Sequence, residues 1–152
     1  MTKIVLTNSQ IMMAATAGVI RRVQFIARDG KPTHGLKDED NNWNLKIEGA
    51  LSEYALAQHL NIHWAGAGVV GGDDVGEEEV RVTELHNGRL IVRESDKDHK
   101  RYWLLTGKDG TYHVRGYMYA RDAKQPRYLT DAGNGREKAY FVPQKDLIND
   151  QR

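Results

Sequence analysis

The sequence predicts an α+β fold, two helices followed by a mixed, largely antiparallel sheet. Three observations predict it. Apolar residues recur every three or four positions between Met12 and Ile26, and again between Ile47 and Leu60, the spacing of a buried helix face. Beyond Trp64 that period gives way to short runs rich in valine, leucine and tyrosine, separated by Asn-Gly and Asp-Gly pairs, the marks of strands and tight turns. The chain of 152 residues is 39% hydrophobic and 28% charged, which suits one domain with a real core.

The elements follow in order. Lys3 to Thr7 is short and β-branched, a strand or extended lead-in. Thr7-x-x-Gln10 has the spacing of a capping box, which satisfies the free amides of a helix start. Met12, Ala15, Val19, Val23 and Ile26 then form the predicted buried stripe, with Arg21, Arg22 and Arg28 off it. The turn formers of "RDGKPTHG", Arg28 to Gly35, end this helix, and the polar run through Asn42 reads as a flexible connection. Residues 1–42 are therefore expected to be an N-terminal helix and connection ahead of a core at 43–152, within one compact domain. The second helix spans Leu45 to Leu60 and buries Ile47, Leu51, Tyr54, Ala55 and Leu60. Gly49, Ala50 and Ala57 neighbour Glu53 at helical spacing. Small residues there would let the helix lie close to the sheet, so that Glu53 reaches across. Glu48 lies about 140° around the helix from Glu53 and does not pair with it.

Val80 to Leu85 and Leu90 to Arg93 are predicted to form a hairpin around "HNG", where Asn87-Gly88 favours a type I′ turn. Tyr102 to Thr106 and Tyr112 to Tyr119 form a second pair around "GKDG". Lys138 to Val142 is the last strand, stopped by Pro143. Trp43, Trp64 and Trp103 are expected as large core fillers.

Several function classes are excluded or disfavoured by composition. The net charge of +1 gives no overall basic field, so a nucleic acid would have to be held by a local patch. The absence of cysteine removes disulfides and thiol catalysis, and fits a reducing cytoplasm. No apolar run approaches the roughly 20 residues that span a bilayer. An Ala-Thr-Ala near the start imitates a signal cleavage site, but Thr7-Asn8-Ser9-Gln10 interrupts the apolar stretch and the basic leader is only Lys3. A cytoplasmic location is expected, with no membrane and no small-molecule cofactor. His59 and His63 have the i,i+4 spacing of a helical zinc pair but lack the glutamate after the first histidine.

The acidic stretch "DDVGEEEVRVT", Asp73 to Thr83, carries the chemistry. On a strand Glu79 and Arg81 share one face while Val80 and Val82 take the other. Asp74 stands just before the bend at Gly76, where a turn can fold it back beside Glu79. Two converging carboxylates suit a hard cation such as Mg²⁺, which prefers oxygen ligands. A surface acidic turn accounts for the same residues without a metal. The loop spacing of a calcium-binding helix–loop–helix site is missing.

The order "W-x-x-x-IEGALSEYALAQHL", then "DDVG", then "EVRVT" resembles the PD-(D/E)XK nuclease superfamily, in particular short phage and bacterial members. The resemblance covers residues 43 to 94 well and the later strands loosely. It implies a restriction-endonuclease-like αβββαβ core and Mg²⁺-dependent hydrolysis of DNA phosphodiesters, with Mn²⁺ as a substitute. Asp74 and Glu79 match the metal positions, Asp73 is the alternative to Asp74, Glu53 matches the helix carboxylate, and Arg81 stands where a lysine is usual. Arginine stays protonated and cannot serve as a base, though it can bind phosphate. The second core helix is reduced, because "SDKDHKR", Ser95 to Arg101, leaves room for a turn or two. The alternative is a catalytically silent relative that binds nucleic acid or a protein partner. Arg115, Arg121, Lys124 and Arg127, interleaved with Tyr117, Tyr119 and Tyr128, are the expected nucleic-acid contacts; a strand with one tyrosine-rich buried face and an ordinary charged loop accounts for the same residues without a nucleic acid. A homodimer through the apolar N-terminal helix is the expected assembly.

Overall fold

Thr7 opens the first helix as its spacing to Gln10 predicts. Gln10 N donates to Thr7 Oγ1 at 3.2 Å, and Thr7 N donates to Gln10 Oε1 at 2.8 Å, closing the capping box. The structure is a computed structural model describing residues 2–28, 42–66, 75–133 and 135–150. Strand β1 (Thr2–Val5) precedes helix α1 (Asn8–Ala27), and helix α2 (Asn42–Leu60) packs on α1. The predicted flexible connection falls largely on residues 29–41, which lie outside the described residues. No helix among the described residues is long and apolar enough to cross a membrane.

The buried face of α1 is not the predicted stripe. Ala14, Ala17 and Gly18 are buried, whereas Met12, Val19, Val23 and Ile26 are 70, 38, 52 and 50% exposed. The reason is steric. A Cβ built on Gly18 would stand 2.5 Å from Ile47 Cα and 2.7 Å from the Lys46 carbonyl, so α2 is seated where the small residues permit backbone approach. Helix α1 carries apolar residues on two sides, and period alone does not choose between them.

After α2 come β2 (Glu79–Thr83), β3 (Leu90–Val92), β4 (Arg101–Lys108), β5 (Thr111–Tyr119), the short helix α3 (Ala120–Ala123), β6 (Leu129–Thr130) and β7 (Ala139–Val142). Among the described residues these strands form two sheets, ordered β1-β5-β4-β2 and β3-β7-β6. Strands β4 and β5 make the predicted hairpin. Its two-residue turn, Asp109-Gly110, has φ of 55° and 93°, the positive values a type I′ turn requires. Pairing is antiparallel throughout except for β2, which runs parallel to β4.

The hairpin expected across residues 80–93 does not form. Gly88 N donates to Leu85 O at 2.9 Å, closing a turn in which neither Asn87 nor Gly88 has positive φ. The chain then leaves the first sheet, and β3 pairs with β7. Burial explains the departure. Leu90 and Val92, both fully buried, join Tyr102, Leu104, Met118 and Val142 in a second core. Val80 joins Trp103, Leu105 and Val114 in the first, beneath Leu51 and Leu56 of α2. A register shift between Leu104 and Leu105 lets Val114 and Tyr117, an odd number of residues apart, both meet the first core.

The result is an α+β arrangement in three layers, with two helices on one face of the central sheet and the small sheet on the other. Residues 2–28 are part of this arrangement and not an extension, since β1 is an edge strand of the central sheet and Ile4, Leu6 and Ala14 lie in the first core. Ser95 to Arg101 forms turns up to the first residue of β4. Trp103 fills the core as expected, but Trp43 is 44% exposed.

Candidate functional site

Strand β2 displays Glu79 and Arg81 on one face, as alternation requires. Their parallel partners are Tyr102 and Leu104, both in the second core, while Val80 pairs with Trp103 in the first. Glu79 and Arg81 therefore project away from the helices. Glu53 projects on the helix side, where Arg21 Nη1 donates to its Oε2 at 2.6 Å and Arg21 Nη2 to its Oε1 at 3.0 Å. Trp64 Nε1 adds a third bond at 3.3 Å. The structure thus brings Glu79 and Arg81 together and sets Glu53 on the other side of the sheet. The expected reach of Glu53 across the sheet is replaced by a reach to α1, whose Gly18 lets the helices close on each other. Asp73 and Asp74 lie outside the described residues.

Each of the placed residues has an opposite charge beside it. Lys100 Nζ donates to Glu79 Oε1 at 2.9 Å, with both side chains largely buried. Arg81 Nη2 donates to both oxygens of Asp96, at 3.0 and 2.9 Å, and its guanidinium lies 4.9 Å from the Tyr102 ring centre. Asp96 is itself fixed by Arg93 N at 2.7 Å. Glu78, one residue before the pair, faces the first core and accepts from Trp103 Nε1 at 2.9 Å and from Arg101 Nε at 3.0 Å. The bond to Glu78 holds the Arg101 guanidinium above its ordinary pKa. Burial, with the charge of Asp96 second, pushes the Tyr102 hydroxyl up to about 12.

The turn before β4 closes over this face. Ala120 N donates to Lys100 O at 3.1 Å and Arg121 N to Asp98 O at 3.2 Å, so α3 is docked on the turn. Lys124 Nζ bonds Asp96 O and Asp98 Oδ1, each at 2.6 Å. Beside the turn opens a cleft of about 410 Å³ lined by Glu77, Lys97, His99, Lys100, Arg101 and Tyr119. Lys97 and His99 are exposed, and the Arg121 guanidinium stands 4.5 Å from the Tyr119 ring centre at its margin. The expected nucleic-acid contacts divide accordingly. Arg121 stands at the cleft margin over Tyr119, and Lys124 is held by Asp96 and Asp98 of the turn. Arg115 instead bonds Thr106 Oγ1 at 2.6 Å and His86 Nδ1 at 3.0 Å, farther along the hairpin, and Arg127 lies over the Tyr128 ring.

Lys100 and Asp96 were not legible as site residues. Both sit in "SDKDHKR", which reads locally as a charged turn. What places Lys100 next to Glu79 is the parallel register Glu79↔Tyr102, a pairing over about twenty residues that no local pattern announces. Among the described residues, no three acidic or histidine side chains are grouped as metal ligands. Of the expected ligands, Glu79 is the described residue joined to the cleft, through its ion pair with the lining residue Lys100. His59 is buried with its ring 5.8 Å from that of Trp103, and His63 lies beyond the end of α2. Compared with protein-family models, curated proteins and solved structures, the chain matches none.

Proposed function

We propose that the chain is a small PD-(D/E)XK-type nuclease acting on DNA at the Glu79–Lys100 cleft. One observation carries this reading: an ammonium, Lys100 Nζ, 2.9 Å from the motif glutamate in a motif whose own lysine position is Arg81. The guanidinium of Arg81 is engaged by Asp96, and Lys100 supplies from the turn before β4 the cation that the motif lacks. Lysine can exchange its proton where arginine cannot. An ammonium fixed at this point stabilises negative charge developing on a phosphate. Lys97, His99 and Arg121 at the margin draw the backbone in. Mg²⁺, or Mn²⁺ in its place, would supply an activated water and a Lewis acid. Glu79 would hold it, with Asp74 or Asp73 as the carboxylate the resemblance implies. One described carboxylate is not a Mg²⁺ site, so the contributions assigned here are those of the chain's own cations.

The test is cleavage of supercoiled and linear DNA with Mg²⁺ or Mn²⁺ by the wild type, Glu79→Gln, Lys100→Met and Arg81→Lys. Expected is metal-dependent cutting that falls at least about 100-fold in the first two variants, the scale of a lost charge-stabilising donor. Full activity in Lys100→Met would sink the assignment. A second reading, a silent relative that binds DNA without cutting, is favoured by the Arg21–Glu53 pair, which occupies the helix carboxylate away from Glu79. It expects equal DNA affinity in Mg²⁺ and in EDTA, and no cutting by any variant.

A further inference from the structure

Where α1 ends and α2 begins, cations and aromatic rings are gathered at one end of the helix pair. The Arg22 guanidinium lies 5.5 Å from the ring centre of Phe25 and 5.8 Å from that of Trp43. Lys46 Nζ lies 5.2 Å from the Phe25 ring. Arg21 is matched by Glu53. Among the described residues, Arg22, Arg28 and Lys46 form no ion pair, and Arg22 Nε is buried without a hydrogen-bond partner. Burial, and after it the charges of Arg21, Arg22 and Arg28, lowers the pKa of Lys46, the mark of cations crowded together. Trp43 is 44% exposed, where a core filler would be covered.

We infer that this end of the α1–α2 pair binds single-stranded nucleic acid, with phosphates on Arg22, Arg28 and Lys46 and a base against the Trp43 ring. Crowded cations gain from a polyanion that releases its counterions. An exposed indole offers a stacking surface that any unpaired base can use, and arginine beside it reinforces the stack. Duplex DNA keeps its bases stacked inside, so the ring selects for the single strand. The surface belongs to the helix layer, whereas the Glu79–Lys100 cleft is formed by β2, β4 and the turn docked on α3. The inference does not depend on cleavage at that cleft.

The experiment titrates a fluorescein-labelled oligothymidylate with the full chain in EDTA, by anisotropy, over a series of salt concentrations. Arg22→Gln combined with Lys46→Gln is expected to weaken binding at least about tenfold. It also flattens the slope of log affinity against log salt by about 1.4, at roughly 0.7 per phosphate contact on a single strand. Trp43→Leu is expected to weaken binding and leave the slope unchanged, a separation that misfolding would not produce. Arg22→Lys combined with Lys46→Arg keeps the charge and retains the slope. Circular dichroism melts establish that each variant is folded. Wild-type affinity and slope in a folded Arg22→Gln, Lys46→Gln protein would overturn the inference. No metal is present and no cutting is read, so the result is separate from that of the cleavage assay.

Discussion

Arg21 and Glu53, 32 residues apart, tie α1 to α2 through two parallel nitrogen–oxygen contacts of 2.6 and 3.0 Å. The Glu53 side chain is 7% exposed and that of Arg21 24%, so the pair is mostly sheltered from solvent. Glu53→Gln is expected to lower stability by about 1.5–3 kcal/mol, the range for hydrogen bonds to charged groups, measured by urea unfolding. A glutamate acting as a metal ligand gives another pattern: unchanged or higher stability with lost metal affinity. That pattern would show the helix carboxylate working elsewhere than in this pair.

Gly18→Ala tests the seat of α2. The added Cβ meets Ile47 Cα at 2.5 Å, Lys46 O at 2.7 Å and Ile47 N at 2.8 Å, all backbone atoms. None can swing aside as a side chain would. The helix-propensity gain of alanine, up to about 1 kcal/mol, opposes an overpacking cost of about 1–3 kcal/mol. A lower thermal midpoint than wild type is expected, and a raised midpoint would place α2 farther from α1.

The Tyr102 hydroxyl, which accepts from Lys97 N at 3.2 Å, titrates only at about 12. An acid whose folded pKa is raised favours the folded state below its unfolded value, roughly 10 for tyrosine. That contribution is lost as pH climbs from there through 12. Stability is therefore expected to decline across this alkaline window, and less steeply in Tyr102→Phe. Absorbance titration of the tyrosinates checks it directly: the variant should lack one late-titrating group.

Tyr112 anchors the β4–β5 turn to α2. Its hydroxyl donates to Glu48 Oε2 at 2.5 Å, and Glu48 Oε1 accepts from Asp109 N at 2.8 Å. Tyr112→Phe leaves the buried carboxylate one bond short, which is expected to cost about 1–3 kcal/mol. Amide exchange at Asp109 and Gly110 should quicken in the variant. Unaltered exchange would separate the turn from the helix contact.

Legibility in the sequence follows the range of the interaction that decides each element. Thr7 and Gln10 act over three residues, and Asp109-Gly110 over two, and both were readable. Asn87-Gly88 looks locally like the same kind of turn, yet the burial of Leu90 and Val92 against strands far along the chain decides against it. The α1 stripe failed for a similar reason, because the choice between two apolar sides belongs to α2. In the site, the shared face of Glu79 and Arg81 follows from strand alternation alone. The Lys100 contact depends on a parallel pairing, and the Glu53 contact on helix packing, so neither was visible in residue spacing.

The place of β1 in the sheet has a consequence for how the chain acquires its structure. Its four residues pair with Thr111 to Val114 of β5, so this strand has no partner until more than a hundred further residues have been made. Hairpin β4–β5 closes over a two-residue turn and can assemble early, whereas β1 and the parallel strand β2 must find it by closing long loops. Until then Ile4 and Leu6 have no sheet to cover them. Synthesis from the N-terminus therefore makes the sheet's first strand one of the last to be secured.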